Sequence, residues 1–322
     1  MRFVVDTGMM KPQEWRERRF TEGAAALRRY HAATGRPDDL PPAGEHYVCP
    51  CCMSQHGREA LSNGTLTIED VPPKSVGGRW LVLTCEKCNS TAGTRLDEQA
   101  RLREEQLDFL AGRAPDRALT GKIMVDESMT RGDIRHVDDA FLLFVDPRRS
   151  DPRQHAEMTA RLDQSAAGNR PGGQIGFELT KQVDLVRARL SWLRAAYLVA
   201  FAALGWPYVY MPYLAPLRAQ LADPDATLLP PLALADPAAV PYRRDLVVVQ
   251  EPHELRSLAV ALGRYTVFLP GLENPQPFMS LGSALSKLPG QLTSPGAHGR
   301  KQIPWRGKRI SWPTRPMYAL HQ

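Results

Sequence analysis

All five cysteines of the 322-residue chain lie between positions 49 and 88, and four of them form two C-x-x-C pairs, Cys49/Cys52 and Cys85/Cys88. Two such turns can bring four thiolates to one tetrahedral zinc ion. The chain begins without the basic and apolar segments of a signal peptide, which favours a reducing compartment and bound metal over disulfides. We therefore predict a structural Zn²⁺ site in a cytoplasmic protein.

The fifth cysteine, Cys51, lies between the two members of the first pair. The C-x-x-C spacing assigns the metal to Cys49 and Cys52, so Cys51 is predicted to be a bystander. The sequence leaves open an exchange of ligand between Cys51 and either neighbour.

Composition restricts the classes of protein to which this chain can belong. An apolar fraction of 43% and a charged fraction of 24% are typical of a folded globular protein. The net charge of +6 and the pI near 9.1 permit an anionic partner such as nucleic acid without requiring one. No apolar run approaches the roughly 20 residues that cross a bilayer, so we expect no membrane association.

The stretch between the two cysteine pairs predicts a compact supersecondary unit. LTIED, from Leu66, and RWLVLTC, which ends at Cys85, each predict a strand, and PPKSVGG between them predicts a loop. After Cys88 the apolar spacing predicts a helix. The order is therefore strand, loop, strand, helix. The leucines of the helical stripe are Leu96, Leu102, Leu107 and Leu110.

This order resembles the zinc-bearing branch of the HNH endonucleases, whose catalytic core is the ββα-metal fold. The resemblance covers residues 46 to 110. It rests on the acidic end of the first strand with its following proline, on the Lys and Gly-Gly of the loop, and on LTCxxCN at the start of the helix. It implies metal-dependent hydrolysis of phosphodiester bonds in DNA, in a setting such as phage defence or restriction.

The catalytic positions of the family match this sequence only in part. In the family an acidic residue that binds a divalent ion precedes a His that activates water, and the matching dipeptide here is Glu69-Asp70. The resemblance assigns the metal to Glu69 and places Asp70 where the His is expected. The family's middle Asn falls near Trp80 and is also absent. Asn89, directly after the last cysteine, matches a position that holds the ion.

Glu69, Asp70 and Asn89 together offer oxygen ligands of the kind that Mg²⁺ or Mn²⁺ prefers. Such an ion would stabilise the charge that develops on a scissile phosphate. Three interpretations remain. Asp70 serves as a base or extra ligand in an active enzyme, although a pKa of about 3.9 makes aspartate a weak base. His46 or His56 supplies the imidazole instead. Otherwise the site is degenerate, and the module binds nucleic acid or a partner protein without cleavage.

Two groups of cations are candidate contacts to DNA. Those near the catalytic positions could neutralise phosphates or serve only solubility. The C-terminal tail interleaves cations with aromatic residues, a pattern that suits nucleic-acid binding and equally suits packing against the domain. The first group is Lys74, Arg79, Lys87 and Arg95; the second is Lys301, Arg306, Lys308, Arg309 and Arg315 around Trp305, Trp312 and Tyr318.

We predict an α+β protein with three segments. Residues 1–44 form an amphipathic helix, from about Pro12 to Ala33, and a linker. Residues 45–113 form the zinc-bound, HNH-like ββα module. Residues 114–322 form a mixed α/β accessory domain that could supply specificity, a protein-partner contact or homo-oligomerisation.

Within the accessory domain the pattern predicts two strands between residues 115 and 150 and a long helix from Phe177 to Leu204, capped by Gly205. Residues 223–242 are predicted to be a connector. RRDLVVVQ and GRYTVFLPG predict two further strands, and EPHELRSLAVAL between them predicts a turn or short helix.

Overall fold

The computed structural model describes residues 10–35, 45–145, 148, 151–166, 175–236, 243–273, 275–288 and 305–316. Helices and antiparallel sheets make the protein α+β, as predicted. Contacts divide the chain into two compact units, one of residues 1–100 and 186–322 and one of residues 101–185. The smaller unit is thus inserted, in sequence, into the larger one, whereas the sequence suggested divisions at residues 44 and 113. None of the described helices is long and apolar enough to cross a bilayer.

The helices and strands of the described residues are numbered in chain order. The helices are α1 (Pro12–Thr34), α2 (Glu59–Ser62), α3 (Glu86–Ala92), α4 (Glu98–Leu110), α5 (Pro152–Ala166), α6 (Leu185–Leu204), α7 (Trp206–Val209), α8 (Ala215–Ala222) and α9 (Phe278–Ser286). The strands are β1 (Tyr47–Val48), β2 (Gln55–His56), β3 (Leu66–Val71), β4 (Arg79–Cys85), β5 (Ala118–Val125), β6 (Ser128–Val137), β7 (Ala140–Val145), β8 (Ile175–Leu179), β9 (Ala233–Ala235), β10 (Arg244–Glu251), β11 (Ser257–Leu262), β12 (Tyr265–Leu269) and β13 (Arg306–Ile310).

The predicted order of strand, loop, strand and helix is confirmed by β3, β4 and α3. The two strands pair antiparallel from Leu66 opposite Cys85, with an irregularity between Glu69 and Asp70. The loop between them requires its two glycines. Gly77 has a φ of +84°, and a Cβ on Gly78 would lie 1.4 Å from the carbonyl oxygen of Pro72.

The predicted N-terminal helix is confirmed by α1, which ends where Gly35 adopts a φ of 68°. Its inner face buries Phe20, Ala24 and Leu27 completely. The indole nitrogen of Trp206 donates a hydrogen bond of 2.9 Å to the carbonyl oxygen of Gly23. Helix α1 therefore belongs to the same core as the ββα module.

A five-stranded antiparallel sheet in the order β13-β10-β11-β12-β9 forms the other part of the larger unit. Every residue of β11 and β12 is buried, and α6 is buried from Leu190 to Ala203. The turn or short helix predicted for EPHELRSLAVAL is wrong for its second half, since Ser257–Leu262 is strand β11. This segment pairs on both edges, with β10 and with β12.

The smaller unit contains a four-stranded antiparallel sheet in the order β7-β6-β5-β8. The sequence predicted two strands between residues 115 and 150, but the structure has three. The additional strand, β6, follows β5 after a tight turn and pairs with it antiparallel. The long helix predicted from Phe177 is wrong at its start, since Ile175–Leu179 pairs with β5 as strand β8 and α6 begins at Leu185. The core contains Phe109, Ile123, Val125, Ile134 and Met158.

Candidate metal centre and the adjacent charge cluster

The two C-x-x-C pairs converge on one point of the larger unit. The Sγ atoms of Cys49, Cys52, Cys85 and Cys88 all lie within 4.8 Å of one another, and those of Cys52 and Cys85 are 3.6 Å apart. A tetrahedral ion with Zn–S bonds of about 2.3 Å separates its sulfur ligands by about 3.8 Å. The four cysteines could therefore bind a metal ion such as zinc.

Backbone geometry positions both turns. In the first turn Met53, with a φ of 62°, donates its N–H to the carbonyl oxygen of Cys49 at 2.8 Å. In the second, Cys85 ends β4 and caps α3, and its Sγ accepts the N–H of Cys88 at 3.4 Å. The N–H of Cys85 also donates to Cys49 Sγ at 3.3 Å. Such bonds disperse negative charge on a thiolate cluster.

Cys51 is buried and lies outside the group of four that the structure brings together. Of the two histidines considered from the sequence, His56 lies beside the cysteine cluster, because its Nε2 is 2.8 Å from Ser54 Oγ. That hydroxyl is in turn 3.0 Å from Cys52 Sγ. His46 is partly buried just before β1. The contacts of His56 therefore suit a role in orienting a metal ligand.

Glu69 forms a buried ion pair with Arg194 of α6. Arg194 Nη1 donates to Oε1 at 2.8 Å and Nη2 donates to Oε2, while Thr84 Oγ1 donates to Oε2 at 2.8 Å. Glu69 and Arg194 are only 2% and 4% exposed. Burial opposes the charge on Arg194, yet the Glu69 carboxylate keeps the pKa of Arg194 well above its ordinary value. Both oxygens of Glu69 are thus bound by protein donors.

One face of α6 contacts the ββα module at three positions spaced three residues apart. Ser191 Oγ donates to Asp97 Oδ1 at 2.7 Å, and Arg194 binds Glu69. The hydroxyl of Tyr197 donates to the carbonyl oxygen of Pro50, in the first cysteine turn, at 2.6 Å. Residues three apart lie on the same side of a helix. Helix α6 therefore contacts the module at both the strand and the metal centre.

The other two predicted ligands of a catalytic ion, Asn89 and Asp70, differ in their surroundings. The side-chain nitrogen of Asn89 donates to Thr67 Oγ1 and to the carbonyl oxygen of Ile68, each at 3.0 Å. Asp70 is partly buried; burial raises its pKa, as does the charge of Glu69, while Lys74 lowers it. Asn89 therefore holds α3 against β3, directly before the Glu69-Asp70 dipeptide.

The predicted DNA-contacting cations differ in their surroundings. Lys74, Arg79 and Lys87 are exposed. Arg95 instead forms an ion pair of 2.6 Å with Asp225, which Arg187 also contacts at 2.7 Å. The charge of Arg95 is therefore balanced within the protein.

The residues of α6 that complete this site, Ser191, Arg194 and Tyr197, were not predicted from the sequence. One signal could have identified Arg194, which stands alone in the apolar run LSWLRAAYLVAF. A cation on the buried face of a helix needs an anionic partner. The sequence does not reveal which carboxylate that partner is, because Glu69 lies 125 positions away.

Asp97 provides a pH-dependent test of this cluster. Burial raises its pKa to about 6, against the opposing effects of Arg194 and Ser191. Between pH 3.8, the ordinary pKa of an aspartate, and about pH 6, the folded chain therefore binds more protons than the unfolded chain, so stability falls as pH rises through this range. We expect Asp97→Asn to stabilise the protein by about 2–3 kcal/mol at pH 7.5 and by almost nothing at pH 3.5.

Urea denaturation at a series of pH values measures this difference. Asp163→Asn, at an exposed position of α5, is the matched control and should give no pH-dependent gain. A gain from Asp97→Asn that stays constant across the pH range would contradict the linkage.

No protein-family model, curated protein or solved structure matches this chain. Its site must therefore be interpreted from its own chemistry. That chemistry consists of four sulfur ligands within reach of one ion and, beside them, a carboxylate engaged by a buried guanidinium.

Proposed function

We propose that this chain is a zinc protein whose ββα module binds nucleic acid without cleaving it. The observation that carries the proposal is the ion pair between Glu69 and Arg194. Glu69 occupies the position that the HNH resemblance assigns to the catalytic ion, yet it is buried and bound through both oxygens. A divalent ion at this carboxylate would have to displace the guanidinium and leave a buried cation without a partner, which is costly.

The four cysteines support a structural role for zinc. A site with four thiolate ligands has no open coordination position for water or substrate, in contrast to catalytic zinc sites. The hydrogen bonds to Cys49 and Cys85, and the chain of contacts from Cys52 to His56, complete its outer shell. Zinc would then hold β4 and the start of α3 against the first cysteine turn.

Charge supports nucleic acid as the partner. The chain carries a net charge of +6, and Lys74 and Arg79 are exposed in the loop and strand that follow Asp70, with Lys87 exposed on α3. Cations on such elements bind phosphates independently of base sequence. DNA is therefore the first ligand to test.

A metal-dependent HNH endonuclease, for example in phage defence or restriction, is the second candidate. The observation that favours it is the position of Asn89, whose amide lies against β3 beside the dipeptide Glu69-Asp70. Asp70 and the side-chain oxygen of Asn89 could then hold Mg²⁺ or Mn²⁺ without Glu69. Asp70 or His46 would have to serve as the base.

Supercoiled plasmid DNA distinguishes the two candidates. With Mg²⁺ or Mn²⁺ we expect the protein to retard the plasmid and to produce no nicked or linear form. We expect Asp70→His, which restores the residue type of the family, to remain inactive as well, because Arg194 still engages Glu69. Gel analysis of the plasmid, with and without EDTA, measures both results.

Cleavage that requires the divalent ion and is lost in Asp70→Ala and Asn89→Ala, but not in the exposed control Asp163→Ala, would establish the endonuclease instead. If the protein neither retards nor cleaves the plasmid at low salt, both candidates are excluded.

A further inference from the structure

The edge strand β13 pairs with β10 and carries the exposed cation Lys308. Lys308 lies opposite Val248 of β10, and Ile310 lies opposite Leu246. Because alternate residues of a strand share a face, Arg244, two residues before Leu246 on β10, lies on this face as well. Trp312 follows the end of β13 by two residues. The guanidinium of Arg244 lies 6.0 Å from the ring centre of Trp312, which agrees with this placement.

Arg244 connects this face to the loop of the ββα module. Its Nη2 donates to the carbonyl oxygen of Gly77 at 3.4 Å, and its Nη1 donates to that of Arg243 at 3.0 Å. Burial lowers the pKa of Arg244, and the nearby charge of Arg79 lowers it further. Within the described part of the chain, neither Arg244 nor Arg79 forms an ion pair with a carboxylate.

Two guanidinium groups held near each other without a carboxylate favour an anionic ligand. Like charges repel, and partial burial increases the repulsion because it reduces solvent screening. An ordinary solubilising cation extends into water and avoids this cost, whereas Arg244 is held by a carbonyl oxygen and an indole ring. A phosphate between the two groups would relieve the repulsion.

We propose that Arg79, Arg244 and Lys308 form one continuous surface that binds the phosphate backbone of duplex DNA. The inference rests on the proposed function and names the surface that carries it out. Four residues of strand separate Arg244 from the position opposite Lys308, which at about 3.3 Å per residue is a span of about 13 Å. This span equals the axial rise of about four base pairs of duplex DNA.

Arg309, the neighbour of Lys308, provides a matched control. It lies opposite Val247, on the other face of the sheet. Its Nε is 3.6 Å from a carboxylate oxygen of Asp245, whereas Lys308 forms no ion pair among the described residues. Both side chains are exposed cations on the same edge strand. The comparison therefore isolates the face that each occupies and the ion pair that only Arg309 forms.

The test compares the intact protein with Lys308→Ala, Arg79→Ala and Arg309→Ala, using a fluorescently labelled 20-base-pair duplex DNA and anisotropy at several salt concentrations. We expect Lys308→Ala and Arg79→Ala each to weaken binding about 5- to 10-fold at low salt. Each should also reduce the slope of log affinity against log salt by about 1, as the loss of one phosphate contact does. Arg309→Ala should change affinity less than about twofold.

The outcomes separate this surface from the function on which it rests. If the unmodified protein does not bind the duplex, the proposed function and this surface both fail. If it binds and the Lys308 and Arg309 variants lose the same affinity, the surface is wrong and the function stands. If Lys308→Ala keeps its affinity and self-associates by light scattering, the lysine only prevents pairing between edge strands, which also overturns the assignment.

Discussion

Cys52→Ser is expected to abolish metal binding and to unfold the ββα module, whereas Cys51→Ser is expected to retain about one zinc ion per chain. The two residues are adjacent in the sequence, but only Cys52 belongs to the group of four sulfur atoms. Structural zinc contributes about 10–16 kcal/mol of apparent binding free energy, which equals or exceeds the whole stability of a typical domain. Loss of the ion should therefore remove most of the stability of the ββα module.

Metal content by atomic emission and thermal unfolding by circular dichroism test this prediction. The buried thiol of Cys51 is replaced by a smaller polar group in the control, so a small loss of stability is expected there, with zinc retained. Retention of zinc by Cys52→Ser and its loss from Cys51→Ser would assign the ligand to Cys51. Unmodified protein that contains no zinc when purified with zinc present would contradict the metal centre.

Arg194→Ala is expected to destabilise the protein by about 3–5 kcal/mol. The substitution leaves the Glu69 carboxylate buried with Thr84 as its remaining donor, and an uncompensated buried charge is far more costly than a lost surface pair. The matched control is Arg187→Ala on the same helix. Arg187 pairs with the exposed Asp225, so its loss should cost less than about 1 kcal/mol.

Urea denaturation followed by tryptophan fluorescence measures both variants. Combining Arg194→Met with Glu69→Leu should recover most of the loss, because two apolar side chains leave no charge without a partner. If Arg194→Ala costs no more than Arg187→Ala, the carboxylate of Glu69 is not confined by the guanidinium. That result would remove the main support for a non-cleaving module.

The ββα module could be predicted from the sequence because its signals are local. The C-x-x-C pairs, the glycines of the loop and the two apolar strands lie within about 40 residues, from Cys49 to Cys88. Each local preference agrees with the others, and such agreement makes a segment predictable. The environment of Glu69 was not predictable, since its partner is supplied by a helix more than 100 residues later.

One strand that was not predicted from the sequence, β11, lacks a polar face. SLAVAL, from Ser257, is buried along its whole length, so the alternation that identifies a half-exposed strand is absent. Its leucine and alanine content suits a helix equally well. Pairing with strands on both sides decided its conformation, and such pairing is a property of the assembled sheet.

The distance in sequence between Glu69 and Arg194 also sets an order of events during synthesis. The last cysteine, Cys88, precedes Arg194 by more than 100 residues, and Glu69 precedes it by 125. At about 5–20 residues per second, Glu69 leaves the ribosome about 6–25 s before its cation does. The metal ligands are therefore complete while this carboxylate still faces water, and the nascent module can acquire its ion before α6 covers it.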